Sequence, residues 1–228
     1  MGVAGATLGI VSVNAGTPSR LGVRSNGSVV YSAIAKRPVP GDSVWLDWQN
    51  LSGDRQGDTR VHGGVDKAVY CYSGDHFAAW AAELGRPVEA AAFGENLTVS
   101  GATEASVCIG DVWRWGDAVV QVAQPRYPCF KVAMHTRVKD MEARFVASGR
   151  SGWYLRVLRP GEVPARGDIV VEQRDPAGLS VLDAHWAFSS DQPEDIARIQ
   201  PLLALDTLAD SWKRMLRRRV RIVENRAS

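Results

Sequence analysis

Gly110-Asp111-Val112-Trp113-Arg114-Trp115 reads as a tight turn that delivers the chain into a strand, and Ala118-Val119-Val120-Gln121-Val122-Ala123 follows as the next strand. Trp113 and Trp115 alternate around Arg114, so both indoles face one side of their strand and pack in or beside a core. The same punctuation recurs at Gly41-Asp42-Ser43-Val44 and Gly167-Asp168-Ile169, each time before an apolar run. Strands set off by such turns, with few helical patterns between them, predict a closed or nearly closed β-barrel; a parallel α/β sheet would separate its strands by helices.

The remaining elements follow from the same reading. Leu8–Val13 is a first strand, residues 14–27 a polar loop, and Tyr31–Lys36 a strand ended by Pro38 and Pro40-Gly41. Val65–Tyr72, Gly152–Leu158 and Asp168–Gln173 complete the strands, with Val107-Cys108-Ile109 in a strand-like setting. One helix is expected after Ser73 as its cap, carrying His76, Phe77 and Trp80 and ending at Gly85. A second covers about Val138–Ala147, with Met141, Phe145 and Val146 on one side and Gly149 as its stop.

At residues 174–178, which include Asp-Pro-Ala-Gly, the apolar period changes from two to about 3.6. Three helices are expected beyond: one capped by Ser180 with Asp183 as a capping-box partner, one from Asp191 with Pro193 in its first turn, and Asp206–Arg219. So short a helical unit has little core of its own and must dock on the barrel, on a second copy of the chain as a homodimer, or on another partner. Lys213, Arg214, Arg217, Arg218, Arg219 and Arg221 make its last helix basic, with Trp212, Met215 and Leu216 as a packing face. Cations suit a helix C-terminus, so a solvated face explains them, with an acidic redox partner as the alternative; nucleic acid is not expected.

The chemistry concentrates in Gln124-Pro125-Arg126-Tyr127-Pro128-Cys129-Phe130-Lys131. Two prolines stiffen this loop, and the cations Arg126 and Lys131 would favour a thiolate, the form that attacks electrophiles and binds soft metals. Cys71 and Cys108 lie in apolar segments without nearby cations and read as core. In Val61-His62-Gly63-Gly64-Val65-Asp66-Lys67 the glycines let backbone N–H groups approach an anion, with His62 and Lys67 as further donors, unless the pair only makes a tight turn. Lys36 and Arg37, at a strand exit, are either solvated or contribute to the same anion pocket. In Phe93-Gly94-Glu95-Asn96-Leu97, Asn96 offers a donor and an acceptor and Glu95 a carboxylate that could move protons, unless both only satisfy loop backbone.

The 228 residues carry a net charge of +2 with a pI near 8.5, 45% hydrophobic and 23% charged, an ordinary globular composition that does not call for a polyanionic partner. No apolar run approaches the roughly 18 residues of a membrane span, no signal peptide is read at the N-terminus, and three cysteines give no disulfide framework. A cytoplasmic protein is expected. Four histidines without metal-ligand spacing give no structural zinc motif.

Pro-Arg-x-Pro-Cys, preceded in order by His62-Gly63-Gly64 and Phe93-Gly94-Glu95-Asn96-Leu97, resembles bacterial MOSC-domain proteins of the YiiM type, the domain being named for the C-terminal part of molybdenum cofactor sulfurase. The resemblance covers most of the chain. It implies a mainly β fold with helices: a MOSC-type β-barrel over residues 1–173, with its core at about 32–172, followed by a small three-helix (3-alpha) domain over 179–221. It also implies a molybdenum cofactor, a pyranopterin whose metal takes one further thiolate, here Cys129, as ligand and catalytic centre. Lys36, Arg37, His62, Gly63, Gly64, Lys67, Asn96, Arg126 and Lys131 would then bind the cofactor. Proteins of this type reduce N-hydroxylated bases such as 6-hydroxylaminopurine to amines. No flavin, haem or iron–sulfur motif is read here, so a separate electron-donating reductase is implied. The alternatives are a non-catalytic carrier of cofactor or sulfur, and a metal-free cysteine nucleophile with His62 or His135 as base.

Overall fold

A computed structural model describes residues 5–55 and 63–227, with side chains through residue 223. Twelve strands are described: β1 Thr7–Ala15, β2 Ser19–Val23, β3 Val29–Ser32, β4 Arg37–Pro38, β5 Ser43–Leu46, β6 Val69–Ser73, β7 Leu97–Ser100, β8 Val112–Trp115, β9 Ala118–Pro125, β10 Trp153–Arg159, β11 Gly161–Pro164 and β12 Gly167–Gln173. Seven of them close a barrel in the order β12-β8-β9-β10-β6-β7-β1, with β1 pairing back to β12 and β4 appended to β1. Every barrel pairing is antiparallel except β6 with β7, which are parallel. Closure leaves the barrel no free sheet edge.

The Gly-Asp turns deliver strands as expected. Gly110 sits at φ 94°, where a side chain is strained, and a Cβ there would meet the Asp175 carboxylate at 2.1 Å. Trp113 and Trp115 are both fully buried, on the inward face that their alternation predicted.

Several boundaries differ from the sequence reading. The expected strand to Lys36 stops at Ser32, whose hydroxyl accepts the Ile34 N–H at 3.2 Å and bends the chain. The loop expected over 14–27 contains β2, which pairs with β3 as an exposed hairpin. Residues Val65–Lys67 form a 3-10 turn before β6. Another 3-10 turn, Gly74–His76, stands between Ser73 and helix α1, Phe77–Leu84, so the Ser73 side chain caps nothing. A helix not expected from sequence, α2 Phe130–Thr136, begins just after Cys129. Helix α3 is Met141–Ser148, stopped by Gly149 in the left-handed region.

After β12 the chain is helical: α4 Val181–Ser189, α5 Pro193–Ala197, α6 Ile199–Ala204 and α7 Asp210–Ala227. The capping box at Ser180 and Asp183 forms in full. The second expected helix is broken at Arg198 into α5 and α6, and the last begins at Asp210. These helices dock on the barrel. Val181, Ala184, Leu202, Trp212 and Leu216 belong to the same buried cluster as Ile109, Val122 and Trp153 of the barrel. No described helix is long and apolar enough to cross a membrane.

Candidate active site

Strand β9 ends at Pro125, still paired with Trp153 of β10, and the Arg126 N–H donates to Gly152 O at 2.9 Å. The next residues turn out of the sheet, and Cys129 takes the extended N-cap position of α2 (φ −132°, ψ 163°). Its half-buried sulfur lines a cavity of about 110 Å³, several times the space one ordered water needs. Lys36, Lys67, Asn96, Arg126 and Lys131 share that wall with Cys129. So do Ser32, Asp54, Arg55, Tyr70, Phe93 and Tyr154.

Arg126 is buried against the end of the barrel. Its Nη1–H donates to the Tyr70 hydroxyl at 3.1 Å, and its guanidinium lies 4.5 Å from the Tyr70 ring centre. Burial alone would depress the guanidinium pKa, but Tyr70, Tyr154, Cys129 and Glu95 outweigh it and hold Arg126 charged. Lys36 forms a buried ion pair with Asp54, whose Oδ1 also accepts the Gly16 N–H at 2.8 Å. Burial pushes the Lys36 ammonium pKa down, against the pull of Asp54 and Glu95. Lys67, presented by the 3-10 turn before β6, is also pushed down by burial, with Arg214 of α7 adding to the effect and Asp66 opposing it.

Other expected residues stand elsewhere. Arg37 is exposed on β4, because successive residues of an extended chain point to opposite sides and Lys36 takes the pocket side. Gly63 and Gly64 are not on the pocket wall; Gly64 O accepts the Lys67 N–H at 2.9 Å, so the pair serves as the tight turn that presents Lys67. His62 lies outside the described residues. His135 lines a separate cleft with Arg86 and Thr136, so it does not face Cys129 as a base, and burial lowers its pKa.

Asn96 reaches the wall, but its amide is engaged: Oδ1 accepts the Tyr70 N–H and Nδ2 donates to Asn14 O, each at 3.2 Å. Glu95 is fully buried outside the wall. Its carboxylate accepts the N–H groups of Ala91 at 2.7 Å and Phe93 at 3.0 Å and the Thr98 hydroxyl at 3.2 Å. Burial raises its pKa, offset in part by these bonds and its own backbone N–H. It shapes the loop rather than meeting a ligand.

Sequence reasoning missed Asp54, Arg55, Tyr70 and Tyr154. No motif marks Asp54 or Arg55, which reach the pocket because Gly16 bonds to both through Asp54 Oδ1 and the Arg55 N–H. Tyr154 looks like any strand residue beside Trp153.

The family description "MOSC domain" matches residues 58–171, which include Cys129 and most of the pocket. The chain is a MOSC-domain protein of the YiiM type. It is 38% identical over 191 residues to YiiM of Escherichia coli, covering 82% of this chain and 84% of that one. The crystal structure of YiiM from Geobacillus stearothermophilus superposes with a TM-score of 0.76 at 32% identity, over 93% of this MOSC protein and 98% of that chain. A protein named "Reductase" from Gibberella moniliformis is 34% identical over 163 residues, 69% of this chain but only 28% of the fungal one.

MOSC domains are associated with molybdenum cofactor, and the donor set fits such a group. One sulfur, a soft ligand, shares the cavity with Arg126, Lys131, Lys67 and Arg55, which suit an anionic pterin phosphate. Asp54, the carboxylate on the wall, is neutralised by Lys36.

Proposed function

We propose that this MOSC protein is an oxidoreductase that binds molybdenum cofactor through Cys129 and reduces N-hydroxylated compounds, 6-hydroxylaminopurine among them, to amines. The observation that carries this reading is the single pocket cysteine set beside the buried Arg126 and among lysines. The protein named "Reductase" that aligns with this chain over 163 residues at 34% identity supports the reaction class.

Cys129 would supply the thiolate that ligates the metal. Arg126, Lys67, Lys131 and Arg55 would hold the anionic parts of the cofactor, and Tyr70 would keep the Arg126 guanidinium in place. The bound group would supply the two-electron chemistry of N–O cleavage. Phe93 and Tyr154 would bound the space left for a planar substrate. Electrons would come from a separate electron-donating reductase, in a cytoplasmic setting that keeps the three free cysteines reduced.

The deciding experiment is metal analysis of protein made in a host that synthesises the cofactor, with Cys129→Ser alongside, followed by turnover of a hydroxylamino base with reduced viologen. Stoichiometric molybdenum and turnover in the parent, both lost in Cys129→Ser, are the expected result. Molybdenum without turnover would make the protein a carrier, and no molybdenum in the parent would sink the reading.

A further inference from the structure

We infer that the outward face of α2, with the end of β2 beside it, is where the electron donor docks, and that this donor is an acidic electron-transfer protein. The inference rests on the reduction proposed above and gives its electrons a place of entry.

Helix α2 uses its sides differently. Val132 and Thr136 are buried, Lys131 lines the Cys129 cavity, and His135 lines the cleft with Arg86. Phe130, Ala133, Met134 and Arg137 recur at the spacing of one further face. With Val23, Arg24, Ser25 and Lys139 they line an open groove. Its floor is apolar yet open to solvent: Val23 is 47% exposed and Phe130 37%. Val23 pairs with Val29 of β3, and Val29 and Tyr31, exposed on the same side of that strand, continue the strip. The hairpin lies close on the helix, since a Cβ on Gly22 would stand 2.8 Å from the Met134 methyl.

The rim carries one sign of charge. Arg24 lies 4.6 Å from the Phe130 ring centre, Arg137 ends α2, and Lys139 follows. Among the described residues that line the groove, none is acidic. Asp140, next in the chain, is taken by Arg144 at 3.0 Å. The imbalance is written in the sequence: no Asp or Glu precedes Asp42, and none lies between Asp117 and Asp140, in a chain whose net charge is only +2. Arg137 also holds φ 59°, a left-handed position that glycine adopts at less cost, so this cation is kept at a backbone penalty.

Charge decides the occupant. A second copy docked through the same face would set cations against cations, whereas an acidic protein pairs its carboxylates with the rim and an apolar patch with the floor. Position decides the role. Phe130 follows Cys129 directly, their Cα atoms about 3.8 Å apart, so a donor seated on Phe130 is one residue from the thiolate that would ligate the metal. On basic α7, by contrast, the large apolar residues Trp212 and Leu216 are already packed into the barrel cluster. The docked donor gives up two electrons in all and is left oxidised. With two protons from solvent, those electrons break the N–O bond of R–NHOH and give R–NH2 and water, as the proposed function requires.

The test uses full-length protein from a cofactor-making host, with flavodoxin, an acidic flavin protein, as the probe. In NMR of the isotope-labelled chain at low salt, oxidised flavodoxin should shift the amides around Arg24 and along α2. Its Kd should rise about 10-fold in Arg24→Gln/Arg137→Gln/Lys139→Gln and stay near the parent value in Arg217→Gln/Arg218→Gln/Arg221→Gln, which removes the same charge from α7. Added salt should weaken binding to the parent more than to the groove variant, through screening of the exposed rim. With reduced flavodoxin as donor, the groove variant's KM for flavodoxin should rise by a like factor, while molybdenum content and turnover with reduced viologen hold at the parent values. Shifts centred on α7, equal weakening in both variants, or no binding at all would overturn the proposal. So would a loss of viologen turnover in the groove variant, which makes its cations structural, or shifts of these amides with the protein's own concentration, which make the face a dimer contact. A parent without molybdenum or viologen turnover fails at the underlying function and takes the donor's role with it. A working parent that flavodoxin neither binds nor reduces sinks this proposal alone.

Discussion

The Ser211 hydroxyl of α7 donates to Gln124 Oε1 at 2.7 Å, tying the last helix to the strand that leads into Cys129. Two further contacts reinforce the tie. The Ala209 N–H donates to Ala123 O at 3.0 Å, and the Tyr127 ring meets Phe188 edge-on at 5.1 Å and Trp212 at 6.4 Å. The helices therefore set the position of the loop that presents the sulfur. Ser211→Ala leaves the buried Gln124 oxygen without its donor, at about 1–3 kcal/mol, which lowers Tm by a few degrees for a chain of this size. Ser180→Ala, which removes the α4 cap, should cost about 1 kcal/mol. Molybdenum retained through dialysis should fall in Ser211→Ala and hold in Ser180→Ala; equal retention in both would show that the helices do not position the loop.

The cysteines separate by environment. Cys129→Ser should lose molybdenum while melting within a few degrees of the parent, since its side chain is half exposed to the cavity. Cys71 is fully buried on β6 and burial raises its thiol pKa, so Cys71→Ser puts a hydroxyl into apolar surroundings. The expected cost there is about 1–3 kcal/mol in urea unfolding with metal content intact.

Lys36 and Asp54 should behave as a unit. Both side chains are over nine-tenths buried, so Asp54→Ala leaves an unpaired ammonium and should cost about 3–5 kcal/mol. Lys36→Met leaves the buried Asp54 carboxylate, among the described residues, with only the Gly16 N–H and should likewise cost about 3–5 kcal/mol. Denaturant unfolding of the two variants and of the Lys36→Met/Asp54→Ala double variant checks the coupling: the double variant should cost clearly less than the sum of the singles, and simple additivity would mean that the two do not act as a unit.

Glu95 gives a pH signature. Its folded pKa is raised above the 4.5 of an ordinary glutamate, so the folded state binds its proton more tightly than the unfolded state. Its contribution is complete below pH 4.5 and is lost as pH rises through the folded value. Glu95→Gln should remove that component of the stability–pH curve. It should also cost about 1–3 kcal/mol at neutral pH, because an amide NH2 must face one of the N–H groups that the carboxylate now satisfies. A variant whose curve keeps the parent slope would place the titration elsewhere.

The barrel was legible because its strands are announced by Gly-Asp turns, and Trp113 and Trp115 keep period two with no helix competing. Helix α2 was not, because it has seven residues and buries only Val132 and Thr136, too few to establish a period. The hairpin of β2 and β3 is mostly exposed and shows no strict alternation in its first strand. In the site, Cys129, Arg126 and Lys131 could be read from one loop because neighbours in sequence remain neighbours around the cavity. Asp54, Tyr70 and Tyr154 arrive from distant segments through Gly16 pairing and barrel register, which no local pattern encodes. Asn96 misled for the opposite reason, since a polar residue after glycine looks available until the backbone that satisfies it is placed.

The cluster shared by barrel and helices also bears on how the protein is made. Trp212 and Leu216 fill the same interior as Ile109 and Val122, yet the ribosome adds them well after β12, the strand that closes the ring. A nascent chain that has finished every strand still exposes the apolar wall meant for the last helix, and lacks the Ser211 and Trp212 contacts to Gln124 and Tyr127. Maturation is thereby ordered in time: the contacts that tie the loop with the sulfur to α7 can form only once α7 has emerged.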